Sequence, residues 1–147
     1  MKEAPYPPKS PAGAFTVTVE RTVVYDSRER MHHEYSYTVA AAPSGCDFLD
    51  MFAALVTRRG NSDAKHYAAW MGVDARRFNA TVHTLSGVGV LAWTDEFAGA
   101  VATALLRQTD WPVARVARAA LMSSPRAFNS FFRRRYGCTP QQFRWKG

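Results

Sequence analysis

Cysteine is nearly absent from this 147-residue chain: Cys46 and Cys138 are the only two, far apart and without a C-x-x-C pair. That excludes a disulfide framework and a zinc knuckle. No run approaches 18 apolar residues, so no membrane-spanning helix is expected. The first residues, Met1-Lys2-Glu3-Ala4-Pro5, lack the apolar core of a signal segment. The expectation is a reduced, cytoplasmic setting with no membrane partner. The four histidines (His32, His33, His66, His83) show no metal-ligand spacing with cysteine or carboxylate. Nothing places His33, Glu34 and Asp47 together as an acid–base set. No metal, no cofactor and no enzymatic activity are therefore expected.

The most telling shortage is of acid near the C-terminus. From Trp111 to Gly147 there are eight basic residues (Arg115, Arg118, Arg126, Arg133, Arg134, Arg135, Arg144, Lys146) and no Asp or Glu. The whole chain carries 19 basic and 12 acidic residues, a net of +7. Residues 1–97 hold 10 basic and 11 acidic side chains, whereas residues 98–147 hold 9 and 1. The excess is thus local, which points to a localised anionic partner rather than a generally basic surface. With 47% apolar residues the chain can bury a core, so wholesale disorder is excluded.

What is present divides into two regions. Four of the eight prolines (Pro5, Pro7, Pro8, Pro11) fall in residues 1–13, which read as an extended tail. Phe15–Tyr25 is rich in β-branched residues, Asp26–Arg30 is a polar turn, and His33–Val39 returns with Tyr35, Tyr37 and Val39 on one face. This pattern predicts a β-hairpin. Two strands alone are marginal in water, so the hairpin is expected to pack on helices or to pair with a second copy, giving a homodimer. Residues 40–46 read as a linker, so residues 1–46 form a tail-and-hairpin extension.

From residue 47 to 147 the pattern is helical. Asp47 is placed to cap a helix reaching Arg59, with Phe48, Met51, Phe52, Leu55 and Val56 on its apolar stripe. A second helix opens at Asn61-Ser62-Asp63 and closes at Gly72. A third, capped by Asp74, ends at Gly87. A longer helix follows over about 91–107, burying Trp93, Phe97, Val101, Leu105 and Leu106, with Gly99 as a weak point of about 1 kcal/mol. A fifth runs from Pro112 to about Leu121. Ser124-Pro125 then supplies a hydroxyl cap and a proline at the first helical position of a sixth. Thr139-Pro140-Gln141-Gln142 gives a capping box for a short last helix.

Two stretches have the make-up of a helix-turn-helix: a small residue at the helix crossing, a tight turn, and apolar anchors on the second helix. One, about 62–87, has Ala68, Gly72, Phe78 and Val82. The other, about 112–137, has Ala117, a turn at Leu121-Met122-Ser123, Phe128 and Phe132. Ala68 to Gly72 and Ala117 to Leu121 share one four-residue step, so the chain reads as an internal duplication joined by the 91–107 helix. Phe128, Phe131, Phe132, Tyr136 and Phe143 could form a stacking platform for single strands, but their helical spacing favours a core.

These residues resemble the DNA-binding domain of the AraC/XylS family of bacterial transcription regulators. Val116-Ala117, Ser124, Phe128, the run Phe132-Arg133-Arg134-Arg135-Tyr136-Gly137, Thr139-Pro140 and Phe143-Arg144 fall on its signature with matching spacing. So do Ala68, Gly72-Val73, Arg76, Phe78 and Gly87. The resemblance covers roughly Asp47 to Arg144. It implies a mainly α fold: about seven helices, two helix-turn-helix units and a linker helix, here preceded by the hairpin. It also implies double-stranded DNA as partner, with the second helix of each unit in a major groove.

Three departures stand out. Leu121-Met122 replaces the family's usual Gly-Phe, and a leucine cannot take a left-handed backbone cheaply, so a distorted turn is expected. Ala80 and Ala98 stand where basic residues are common. On this reading Arg76, Arg77 and Asn79 of the first unit, and Arg126, Asn129 and Ser130 of the second, face base edges. Ser124, Arg133 and Arg134 are expected at phosphates, since Arg133, Arg134 and Arg135 at successive helical steps cannot all face one partner. The alternative reading is an interaction or dimerisation module with weakened specific DNA binding. A small-molecule effector is not expected, because about 45 N-terminal residues are too few to enclose a pocket.

Overall fold

The computed structural model describes residues 11–146; most of the extended tail expected for residues 1–13 lies outside that range. Strands β1 (Phe15–Tyr25) and β2 (Met31–Ala41) pair antiparallel, with Phe15 opposite Ala41 and Tyr25 opposite Met31. Asp26 organises the turn. Its carboxylate accepts from the Arg28 and Arg30 amides at 2.8 and 2.9 Å and from His32 Nε2 at 2.9 Å. These bonds, the His32 contact foremost, hold its pKa below the usual carboxylate range.

The ribbon lies on the helices by one face. Phe15, 6% exposed, meets Trp93 and Phe97 edge-on with ring centroids 6.2 and 5.7 Å away. Tyr37 meets Trp111 in the same way at 5.9 Å. The hairpin therefore shares the helical core, which supplies the apolar partner that two strands need.

Seven helices follow: α1 (Asp47–Arg59), α2 (Ala64–Met71), α3 (Ala75–Ser86), α4 (Val90–Gln108), α5 (Val113–Ala119), α6 (Pro125–Tyr136) and α7 (Pro140–Lys146). The expected mainly α architecture with an N-terminal hairpin is the one observed. α4 is the central rod, burying Trp93, Phe97, Val101, Leu105 and Leu106 among others. Polar caps set the other ends: Asp63 accepts from the His66 amide, Asp74 from Arg76, Ser124 from Ala127, and Thr139 and Gln142 cap each other's amides.

Some local expectations shift. Asp47 is the first helical residue of α1, with Cys46 at the cap position and no side-chain cap bond. Asp50 closes that end instead, accepting from the Ser44 amide and hydroxyl at 2.9 and 2.7 Å. The buried stripe of α1 is Leu49, Phe52, Ala53 and Val56, while Met51 stays exposed. α5 ends at Ala119, two residues before the expected Leu121.

The duplication has a measurable register. Ala68, Gly72 and Val73 lie 49 residues before Ala117, Leu121 and Met122. In both turns the last of these donates to the crossing alanine, Val73 N–H to Ala68 O at 3.0 Å and Met122 N–H to Ala117 O at 3.2 Å. From Phe78 to Phe128 and from Gly87 to Gly137 the step is 50. The second turn is thus one residue longer. Leu121 takes the left-handed backbone that Gly72 takes, φ 60° against 70°. The expected distortion is therefore replaced by strain borne at one residue.

Candidate nucleic-acid interface

The outward face of α6 follows from its buried one. Phe128, Phe131 and Phe132 turn into the core, and Phe132 packs on Tyr136 and Phe143 with centroids 4.5 and 5.3 Å apart. The aromatic set is therefore core, not an exposed stacking platform. At about 100° per residue, Arg126, Asn129, Ser130 and Arg133 fall within an arc of about 100° on the opposite side. All four are exposed. One step of 50 residues earlier, α3 presents Arg76, Asn79, Ala80 and His83, also exposed, with Arg77 on the flank. His83 occupies in α3 the place Arg133 has in α6, one 50-residue step later.

The other candidate residues separate by role. Ser124 is half-buried, and its hydroxyl oxygen accepts from the Ala127 amide at 3.0 Å, so it caps α6. Asn79, though exposed, spends its amide oxygen on the Val90 N–H at 2.9 Å, at the start of α4. Arg133 stays on the outward stripe. Arg134 is exposed, and its charge is felt at Asp95 of α4. Arg135 turns back, with its guanidinium 2.8 Å from Glu96 Oε1. Glu96 and Gly99, which has its Cα side against the Tyr136 hydroxyl and Arg135 Nε, are the α4 residues that seat the end of α6. Sequence reasoning did not identify either in that role.

Not every C-terminal cation is free of contacts with the protein. Arg115 stacks on Trp111 at 3.7 Å and Arg107 on Phe143 at 4.7 Å. Arg144 donates through Nε to the Leu106 carbonyl at 3.1 Å. The side chains of Arg118, Arg126, Arg133, Arg134 and Lys146 remain exposed, with no side-chain hydrogen bond or ion pair to the protein among the described residues. Beside Arg133 and Asn129 runs a cleft of about 340 Å³, walled by Val113, Thr139, Pro140 and Gln141. Burial raises the pKa of Asp95 on α4, opposed by Arg135 and then Arg134.

Among the described residues no three His, Cys, Asp or Glu side chains come together to hold a metal ion. No single helix there is long and apolar enough to cross a membrane.

The profile of the helix-turn-helix domain family matches residues 67–146, which contain all but the first few residues of the first unit, the rod and the whole second unit. The chain belongs to the AraC/XylS-type helix-turn-helix family. Solved structures agree. The AraC/XylS-type fold is shared with the DNA-binding domain of AdpA, a global transcriptional factor, solved with a target DNA: 27% identity, 69% of this chain and 93% of that one, TM-score 0.61. The C-terminal domain of AraT, a response regulator from Geobacillus stearothermophilus, is 14% identical over 69% of this chain and 87% of that one, TM-score 0.64. An AraC-type regulator from Chromobacterium violaceum is 22% identical over 65% and 87%, TM-score 0.54. No curated protein gives a significant match. Family and fold are those of DNA-binding transcription factors rather than of enzymes.

Proposed function

We propose that this protein is a sequence-specific regulator of transcription that binds double-stranded DNA through the outward faces of α3 and α6. The observation that carries this reading is the pair of stripes themselves. Each belongs to the second helix of a helix-turn-helix, lies opposite a buried apolar face, and carries arginine with no acidic neighbour on its own helix. AdpA's related domain was solved on its target DNA, which supports the same use here.

In this reading Arg126 takes a guanine edge through two parallel hydrogen bonds, an interaction worth about 1–3 kcal/mol of discrimination. Arg76 and Arg77 read bases in the first unit. Arg133 and Arg134 hold phosphates, while Ser124 caps α6 and directs its amide end toward the backbone. The place of action is the bacterial cytoplasm, where the chromosome is, and neither cofactor nor metal enters. The test is selection of bound duplexes from a random pool. Enrichment of one motif with two separated blocks is expected, and a pool that stays random contradicts specific recognition.

The hairpin supports a finer statement about assembly. The face that seats Phe15, Val17 and Val19 on the core continues beyond it as Val23, Tyr25 and Met31, which are 45%, 69% and 56% exposed. We assign this overhang to pairing with a second copy. Sedimentation at several concentrations should show a dimer that Tyr25→Ser with Met31→Ser dissociates. A monomer at all concentrations rules it out.

A further inference from the structure

The two recognition helices carry the same asparagine, one repeat apart, in opposite circumstances. Asn79 of α3 is bonded. Val90 N–H is a donor, so the atom facing it at 2.9 Å is the amide oxygen of Asn79. The cause lies in the start of α4. Its cap position is Gly89, which has no side chain and makes no side-chain cap bond. Asn79 therefore satisfies an amide that Gly89 cannot. Gly89 also leaves the room: a Cβ there would lie 3.0 Å from Asn79 Oδ1 and 3.4 Å from Nδ2.

Asn129 of α6 lacks all of this. The residues one repeat after Gly89 and Val90 are Thr139 and Pro140. Thr139 caps α7 itself, accepting from the Gln142 amide at 3.1 Å while Gln142 returns the bond at 2.9 Å. Pro140 has no N–H to offer. Asn129 sits beside both, along the cleft it shares with Arg133. It is exposed, and among the described residues its amide has no hydrogen-bond partner.

We propose that Asn129 is a base-reading residue of the second unit, taking the major-groove edge of an adenine, and that Asn79 is a positioning residue that holds the α3–α4 junction. The inference rests on the DNA-binding function proposed above and sharpens it. An asparagine reads adenine by accepting from N6–H and donating to N7 at once. Asn129 has both amide atoms free for that and lies on one stripe with Arg126 and Arg133. Asn79 has its amide oxygen held against the Val90 N–H, so the amide is fixed at the α3–α4 junction and is not free to align both of its atoms with one base edge. The repeat thus reads bases with its second asparagine and builds with its first.

The experiment is the same selection from random duplexes, run with the unaltered protein, Asn129→Ala, Asn79→Ala and Asn79→Asp. Asn129→Ala should erase one A·T column in one block of the motif. Competition between duplexes differing at that pair should lose about tenfold of preference. Asn79→Asp keeps an oxygen for Val90 and should keep every column; Asn79→Ala should lower the melting temperature and leave the motif unchanged. Should Asn129→Ala retain all columns, or either Asn79 variant lose one of its own, the inference is overturned while the regulator reading stands. If the unaltered protein enriches no motif, both fall.

Discussion

Leu121, in the turn of the second unit, sets its side chain against Gly60, which closes α1 ahead of the first unit. A methyl group added to Gly60 would overlap Leu121 Cβ and lie 3.0 Å from Cδ1. Gly60 is itself held by Tyr67, whose buried hydroxyl donates to the Gly60 carbonyl. The two units are therefore joined by this packing as well as by α4. It also accounts for a leucine at φ 60°, where glycine would cost nothing. Leu121→Ala removes the packing beyond Cβ and keeps the strain, whereas Leu121→Gly removes both. Leu121→Gly should be the more stable of the two by about 1 kcal/mol in urea unfolding, contrary to helix or chain-entropy preference. Gly60→Ala, at φ 58°, should be worse than either.

The seam between α4 and α6 makes a second sign-reversed prediction. In an exposed helix Gly→Ala gains about 1 kcal/mol. At Gly99 the new Cβ would meet the Tyr136 hydroxyl and lie 2.9 Å from Arg135 Nε. Tyr136 is packed on Phe132 and Phe143 and has little room to yield. Gly99→Ala should therefore lower the melting temperature. Glu96→Gln, which removes the charge facing Arg135, should cost on the order of 1 kcal/mol or less.

Asp95 gives the pH prediction. Its folded pKa is raised, chiefly by burial, so folding favours its protonated form. Stability from that preference is present below the unfolded value, about 3.9, and is lost as pH rises through the raised folded value. Asp95→Asn mimics the protonated form. It should melt higher than the unaltered protein at pH 7 and level with it near pH 3. Equal melting curves at neutral pH would remove burial as the dominant influence on this group.

Pro140 offers a test of the asymmetry between the two asparagines from the other side. Pro140→Val restores an N–H at the position of Val90, within the cleft that Asn129 lines. Adenine preference at the second block should weaken in the direction of Asn129→Ala, although Asn129 is untouched. Binding with unchanged preference would mean that Thr139, standing where Gly89 makes room, is enough to keep Asn129 apart.

These relationships mark where the sequence is readable and where it is not. Caps and stops act within four residues, so Asp63, Asp74, Ser124-Pro125 and the Thr139–Gln142 box place their helices correctly. The alternation of the hairpin likewise reveals its inner face. The outward stripes follow from Phe78, Phe128 and Phe132, because a helix that buries one side exposes the other. What stays hidden depends on distant partners: Leu121 on Gly60, Arg135 on Glu96, Asn79 on Val90. Asp47 looks like a cap but lies inside the helix, because Ser44 and Asp50 close that turn across it, a bond that the apolar pattern does not encode.

Salt dependence of binding tests the central claim most directly. The unaltered protein and Arg133→Ala should be titrated against the selected duplex over a range of salt concentrations. Log affinity should fall linearly with log salt, and Arg133→Ala should make the slope shallower by about 0.9, the share of one neutralised phosphate. Affinity that is absent, or indifferent to salt, would contradict the account.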